Sequence, residues 1–223
     1  MIKSLLDSFG RGYARSLGLD LTKEEGVFGW FLASLLFGAP IRERAAICTY
    51  KFFVQEGITT PEGIQAAGWD KLVACLDRGG YTRYDFKTAD KLLAVAQRLI
   101  SEYTGSLIQL RDMATTPKDL ELRLKALGKG VGDTTVAIFL RELRGRWDLA
   151  NPDMHHFAAT AAERFGLPPT LTGLREMWGE RGVEGYDFVD LEDALTRLGR
   201  DYCTKGRCDR CPLGDQCVSR GMP

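Results

Sequence analysis

Four of the six cysteines lie close together near the end of the 223-residue chain, and this clustering constrains the fold more than any other feature. They are Cys203, Cys208, Cys211 and Cys217, with four, two and five residues between them. Thiols this close in sequence converge on a metal centre or on two tight disulfides. The N-terminus lacks the apolar core of a signal peptide, so we expect an intracellular chain, where disulfides are rare. The cluster therefore predicts a metal site, and four cysteines suit tetrahedral zinc.

Composition limits the class of protein without indicating a function. Lys and Arg total 30 and Asp and Glu total 30, so the chain lacks the overall basic charge of many DNA-binding domains. A neutral protein can still carry a basic patch, and a phosphate responds to the patch. The most apolar stretch, residues 27 to 37, is too short to cross a bilayer. We therefore expect a soluble, cytoplasmic protein with no membrane partner.

Helical patterns dominate the rest of the chain. Residues 27 to 37 are apolar on every face, which is typical of a central buried helix. Thr60-Pro61 and Thr116-Pro117 each place a capping threonine before a proline at the first helical position. Residues 165 to 173 form the most loop-rich segment. Strand patterns are almost absent, so the sequence predicts an all-α fold of roughly ten helices.

A glycine turn joins two of the predicted helices, residues 117 to 127 and 134 to 143. It reads Gly128-Lys129-Gly130-Val131-Gly132. Glycines let the backbone bend sharply and approach another surface closely. The first N–H groups of the following helix lack internal partners and attract a phosphate. An ordinary helix–helix connection stays open, but three alternating glycines with a lysine favour a phosphate site that contacts backbone and reads no base sequence.

A polar segment, Asn-Pro-Asp-Met-His-His, follows at residues 151 to 156. Asp153 lies 21 positions after Gly132, near the start of a helix predicted over residues 154 to 165. Aspartate commonly caps a helix at such a position. His155 and His156 are the only histidines of the chain, and from the sequence alone a core or phosphate contact is the simpler role for either one.

In this order, the glycine turn, the aspartate and the cysteines resemble the endonuclease III superfamily of helix–hairpin–helix DNA glycosylases. The resemblance runs from about residue 23 to residue 217. The family's Leu-Pro-Gly-Val-Gly core keeps its Gly-Val-Gly here, at residues 130 to 132, whereas its leucine and proline are replaced. A Val-Asp-Thr-His-like stretch carries the family's catalytic aspartate, and Asp153 and His155 fall on that pattern. The family's cysteine gaps are six, two and five residues, so the first gap here is two residues shorter.

The resemblance implies two all-helical lobes. Residues 23 to 147 would form a six-helix lobe with the helix–hairpin–helix motif, and residues 1 to 22 plus 148 to 223 a lobe with the catalytic aspartate and the cluster. The cofactor would be a [4Fe–4S] cluster, with zinc as the alternative, bound by Cys203, Cys208, Cys211 and Cys217. The partner of the monomeric protein would be double-stranded DNA, contacted by Gly128, Lys129, Gly130, Val131, Gly132, Thr134 and His155. The target base would be flipped into a pocket.

Asp153 would be the catalytic residue of the implied reaction, which hydrolyses the N-glycosidic bond of a damaged or mismatched base in base excision repair. Bond cleavage builds positive charge on the sugar, and a carboxylate stabilises that charge or deprotonates the attacking water. Bifunctional members carry a lysine two residues after Gly-Val-Gly, which forms a Schiff base with the sugar. Thr134 occupies that position and cannot form an imine. We therefore expect a monofunctional glycosylase with weak or no lyase activity.

Two alternatives use the same scaffold. The chain lacks the family's lysine, the glutamate of the adenine-removing branch and the glutamine that follows the early buried helix, near Gly38. These losses favour a non-catalytic binder of damaged or structured DNA. Alternatively, another lysine restores the lyase activity. The residues Tyr81, Arg83, Tyr84 and Lys87 fit either a loop beside the lesion or a solvated turn. The missing glutamate favours a deaminated or oxidised pyrimidine as the substrate.

Overall fold

The computed structural model describes residues 1 to 220, in which helices make up 66% of the chain and no strand is present. The predicted all-α class is confirmed for this part of the chain. Twelve α-helices follow in order: α1 Ile2–Phe9, α2 Tyr13–Ser16, α3 Glu24–Phe37, α4 Glu43–Gln55, α5 Pro61–Arg78, α6 Asp85–Tyr103, α7 Leu107–Asp112, α8 Pro117–Ala126, α9 Asp133–Glu142, α10 His156–Arg164, α11 Leu171–Arg181 and α12 Phe188–Asp201. Three short 3₁₀ helices lie in the cysteine segment: Cys203–Lys205, Cys208–Arg210 and Gly214–Gln216.

The contacts divide the chain into two units. The central unit is Gly18–Pro152, and the terminal unit combines residues 1 to 17 with the chain from Asp153 onward. The lobe boundaries predicted from the sequence, residues 23 and 147, each lie five positions inside the central unit. Across residues 1 to 220, no helix has both the length and the apolar character that a bilayer crossing needs.

Helix α3 forms the core of the central unit, as its sequence predicts. Every residue from Gly26 to Leu36 is buried. The indole nitrogen of Trp30 donates a hydrogen bond of 3.0 Å to the Phe139 carbonyl of α9, and the ring of Phe31 packs edge-on against Phe139 at 4.9 Å. These contacts hold α9, and with it the glycine turn at its start, firmly against the core.

The two threonine caps form as predicted. The hydroxyl of Thr60 accepts from the Gly63 N–H, and that of Thr116 accepts from the Asp119 N–H, both at 3.0 Å. Each threonine satisfies one of the N–H groups that the first helical turn leaves without a partner. Helix α8 therefore begins at Pro117, and its last residues lead into the glycine turn.

The terminal unit has a separate hydrophobic core. Its buried side chains come from four helices, from the turn after α10 and from the cysteine segment: Leu5, Leu6, Ala158, Ala161, Ala162, Phe165, Leu167, Leu174, Met177, Leu191, Ala194, Leu195, Leu198, Cys203 and Leu213. The carboxylate of Asp190 in α12 accepts hydrogen bonds from the Gly12 N–H at 2.8 Å and from Arg15 at 3.1 Å. Residues from the two ends of the chain thus share one core, and the cysteine segment packs onto it.

Candidate functional site

The glycine turn, residues 128 to 132, contains a tight β-turn. The fold itself requires its first two glycines, Gly128 and Gly130. The Val131 N–H donates to the Gly128 carbonyl at 3.1 Å. Gly130 has a φ of 91°, a left-handed conformation that side chains other than glycine rarely adopt. A Cβ on Gly128 would lie 2.9 Å from a methyl group of Val95, closer than carbon atoms pack. Both glycines are therefore required by local structure alone.

Gly132 differs from the other two because the fold does not require a glycine there. Its φ of −100° is open to any residue, and a Cβ at this position would meet no atom within 4 Å. Gly132 is the exposed N-cap residue of α9 and supplies no side-chain cap. The first N–H groups of α9 therefore open onto a surface that another molecule can approach closely.

The side chains around Gly132 suit a negatively charged ligand. Lys129 and Thr134, both expected to contact DNA, are exposed on either side of it. The nearby acid, Asp133, forms an ion pair with Lys125. A hydrogen bond from Lys125 lowers the pKa of the Asp133 carboxyl. The charge of Asp133 is thus offset within the protein, while Lys129 remains available to solvent.

Lys91 of α6 lies next to the glycine turn, a position that no sequence pattern indicates. Its Cδ would be 3.5 Å from a Cβ on Gly130, and its Nζ donates a 3.1 Å hydrogen bond to the Leu35 carbonyl of α3. Burial lowers the pKa of Lys91 to about 8. An amine with such a pKa is neutral in a larger fraction of molecules at physiological pH than an exposed lysine.

Asp153 lies outside any helix and is exposed to solvent. The interpretation of Asp153 as an N-cap is wrong, because α10 is capped by His155. The Nδ1 of His155 accepts a 3.2 Å hydrogen bond from the Phe157 N–H. His155 therefore has a structural role in the terminal unit in addition to the predicted DNA contact. The Asp153 carboxylate is left free of the capping role.

The four clustered cysteines lie around one small cavity of the terminal unit. Cys203, Cys208, Cys211 and Cys217 line a single cavity. Burial, reinforced by the neighbouring thiols, raises the pKa of Cys203 to about 11, and burial also raises the pKa of Cys211. Within residues 1 to 220, no three His, Cys, Asp or Glu side chains are grouped as they would be around one metal ion.

The segment proposed as a lesion-side loop divides into buried and exposed residues. Tyr81 is 1% exposed and donates its hydroxyl hydrogen to the Leu36 carbonyl, so it belongs to the core and not to a lesion-contacting surface. Arg83 and Lys87 are exposed, and Tyr84 is half-buried. A nearby feature that the sequence reading missed is an exposed aromatic pair, Trp69 and Phe86, with ring centroids 5.1 Å apart.

No family model matches this chain, and no curated protein shows significant sequence similarity to it. Support for a function comes instead from three features of the chain itself. These are the open glycine turn, the exposed carboxylate of Asp153 and the cavity that the four cysteines share.

Proposed function

We propose that the protein is a monofunctional DNA glycosylase of the endonuclease III kind, which hydrolyses the N-glycosidic bond of a damaged or mismatched base. The observation that carries this proposal is the state of Asp153. This residue matches the position of the family's catalytic aspartate, it is exposed, and it does not cap α10, whose N-cap is His155. An exposed carboxylate in that position can act on a substrate.

In this proposal, helices α8 and α9 with the glycine turn form the helix–hairpin–helix motif that binds a DNA phosphate. The N–H groups that open α9 donate to the phosphate oxygens, and the bare backbone of Gly132 allows the close approach. Lys129 adds a positive charge. These contacts position the duplex without reading its sequence.

Asp153 performs the chemistry. As the glycosidic bond lengthens, the sugar acquires positive charge, and the carboxylate either stabilises that charge or takes a proton from the attacking water. Thr134 stands where a bifunctional enzyme has its lysine, and a hydroxyl group cannot form the imine that leads to strand cleavage. Water is therefore the nucleophile, and the product is an abasic site.

In this proposal, the four cysteines that line the cavity bind a [4Fe–4S] cluster, with zinc as the alternative. Four thiols in one cavity are the donor set of such a cluster, and the last two gaps between them match the family's spacing. A bound cluster would cross-link residues 203 to 217. Exposed basic residues on this segment, Lys205, Arg207 and Arg210, would then form a DNA-facing patch on an otherwise neutral chain. The cluster and Asp153 would belong to one lobe and the helix–hairpin–helix to the other.

The proposal is tested with duplexes that carry single lesions, among them uracil, thymine opposite guanine, oxidised pyrimidines and 8-oxoguanine. We expect strand breaks only after alkali, because hydrolysis leaves an alkali-labile abasic site. Asp153→Asn should lower the excision rate by about 10²- to 10³-fold, since it removes a charge that acts in the transition state. Asp148→Asn is the matched control, because Asp148 is also exposed and lies five positions earlier. DNA binding without excision of any lesion would indicate the non-catalytic binder.

A lyase activity is a second candidate, favoured by the lowered pKa of Lys91 and its place beneath the glycine turn. Reduction with borohydride traps an imine between an amine and an abasic sugar. The monofunctional proposal expects no trapped adduct with the wild-type protein. An adduct that disappears in Lys91→Gln would show instead that this lysine replaces the one missing at Thr134.

A further inference from the structure

Arg144, just after α9, is a buried guanidinium that the proposed reaction does not use directly. It is 5% exposed. Burial of a charged group is costly unless its donors are hydrogen-bonded. Two of its bonds go to the end of the central unit: one to the Asn151 side-chain oxygen at 3.0 Å and one to the Pro152 carbonyl at 2.8 Å. The guanidinium therefore spans residues 144 to 152 and closes them into a loop.

The loop is further fixed by its own backbone and by the core. The Ala150 N–H donates to the Trp147 carbonyl at 2.9 Å, and the Asn151 N–H donates to the Leu149 carbonyl at 3.0 Å. The Trp147 ring is buried and packs edge-on against Phe139 of α9 at 5.6 Å. Arg144 thus connects the end of this loop to a helix that is itself held by α3.

The bond from Arg144 to Pro152 bears on Asp153 through the geometry of the peptide. The Pro152 carbonyl belongs to the planar unit that ends at the Cα of Asp153, so fixing its oxygen fixes the orientation of that plane. Hydrogen bonds from a charged donor are shorter and about twice as strong as neutral ones. The hydrogen bond from Arg144 to the Asn151 side chain also restrains the residue that precedes Pro152, so the backbone of this segment has less freedom to rotate.

We propose that Arg144 is a positioning residue for Asp153: it holds the peptide from which the catalytic carboxylate projects. This inference rests on the proposed glycosylase function. Arginine suits the task because its planar fork donates to two separate acceptors at once, whereas a lysine ammonium on a flexible stem cannot hold both in a fixed geometry. Displacement of a catalytic group by about 1 Å is enough to lower a rate by about 10²-fold.

The test compares Arg144→Lys with Arg146→Lys in single-turnover excision. Arg146 is the matched control, because it lies on the same loop and is exposed. We expect Arg144→Lys to lower the excision rate by about 10- to 100-fold and to leave DNA affinity within about twofold of wild type. Arg146→Lys should leave the excision rate unchanged. If Arg144 acts through Asp153, Arg144→Lys should cost nothing further in an Asp153→Asn background. Equal losses in both backgrounds would overturn the inference.

Amide hydrogen exchange separates the failure of this inference from the failure of the proposed function. Arg144→Lys should accelerate exchange in peptides covering residues 149 to 156 by about tenfold, with α3 unchanged. If Arg144→Lys accelerates exchange in residues 149 to 156 but the protein excises no base, Arg144 positions this segment and the proposed glycosylase function is wrong. Unchanged exchange, or an unchanged rate in an active enzyme, would reject the role of Arg144.

Discussion

The Lys91 amine shows how a single residue can oppose folding at neutral pH. Its ammonium loses hydration on burial, and the Leu35 carbonyl accepts one of its hydrogens. The pKa of Lys91 falls from the usual 10.5 to about 8, which means that the folded protein binds this proton less tightly than the unfolded chain does. Below pH 8 both states carry the proton, and the folded state bears the full cost of the buried charge.

A pH dependence of stability follows from this shift. Between pH 8 and 10.5 the folded protein loses a proton that the unfolded chain retains, so the Lys91 contribution to the free energy of unfolding should rise with pH. Lys91→Met removes the titration, and its stability advantage over wild type should therefore be largest near pH 7 and shrink toward pH 10. Urea denaturation at several pH values measures the difference, with the exposed Lys51→Met as the charge control. A difference that stays constant with pH would contradict a buried ammonium.

Individual residues were predictable from the sequence where their roles depend on near neighbours. Thr60 and Thr116 cap helices three residues away, and the Thr-Pro pattern contains all the information needed. The burial of Tyr81 and the capping role of His155 could not be predicted, for the opposite reason. The buried position of Tyr81 depends on α3, 45 residues distant, and a histidine cap has no strong sequence signature because histidine is an uncommon N-cap.

At the scale of elements, two glycines of the same turn are expected to differ in role: Gly130 in stability and Gly132 in the proposed DNA binding. Gly130 has a positive φ, so Gly130→Ala should lower the free energy of unfolding by about 1 kcal/mol or more. Gly132 has neither strain nor a crowded Cβ position, so Gly132→Ala should lower the free energy of unfolding by less than Gly130→Ala does, by the roughly 0.5 kcal/mol that alanine costs relative to glycine at an N-cap. Its methyl group would nevertheless stand where a phosphate must approach, and DNA affinity should fall by about tenfold.

The comparison uses thermal or urea denaturation for stability and fluorescence anisotropy for binding to an undamaged duplex. Gly179→Ala is a suitable control, because Gly179 lies inside α11 with no atom within 4 Å of a Cβ. Unchanged DNA binding by Gly132→Ala would indicate that the turn is an ordinary connection between two helices.

Helix boundaries were predictable where charged and apolar residues alternate regularly. Residues 87 to 102 alternate charged and apolar side chains at helical spacing, and α6 spans Asp85–Tyr103. Residues 165 to 173, expected to be the most loop-rich segment, are loop as far as Thr170, and α11 begins at Leu171. Thr170 ends that segment and caps α11 by accepting from the Gly173 N–H at 3.2 Å. The two prolines and two glycines of residues 165 to 173 gave no sign that a helix begins there, because glycine lowers the helical propensity of the first turn.

At the scale of the whole molecule, the residues that would bind the proposed cluster all belong to the terminal unit. Cys203 and Leu213 belong to the core of the terminal unit, so loss of a ligand that cross-links the cysteines should loosen that core. Oxidation and chelation of the purified protein should release about four irons per chain. Amide exchange should then rise in residues 203 to 217 and in α10 and α12, with α3 and α9 unaffected. Release of one zinc per chain would replace the iron–sulfur assignment.

The all-α class follows from hydrophobic periodicity and could be predicted. The position of the four cysteines around one cavity was also predictable, because few residues separate them along the chain. The roles of Lys91 and Arg144 could not be predicted, since each depends on a carbonyl group contributed by another segment: Leu35 for one and Pro152 for the other. Sequence patterns report which side chains are apolar and do not report where a backbone oxygen lies.

The terminal unit draws its core from both ends of the chain, and this imposes an order on biosynthesis. The ribosome makes α1 before the central unit, yet Leu5 and Leu6 pack with side chains of α12. Gly12 and its acceptor Asp190 are 178 positions apart. All residues of the central unit, in contrast, are contiguous and are complete before α10 emerges. Helix α1 is therefore translated long before α12, and its apolar side chains reach their native partners only after α12 has been made.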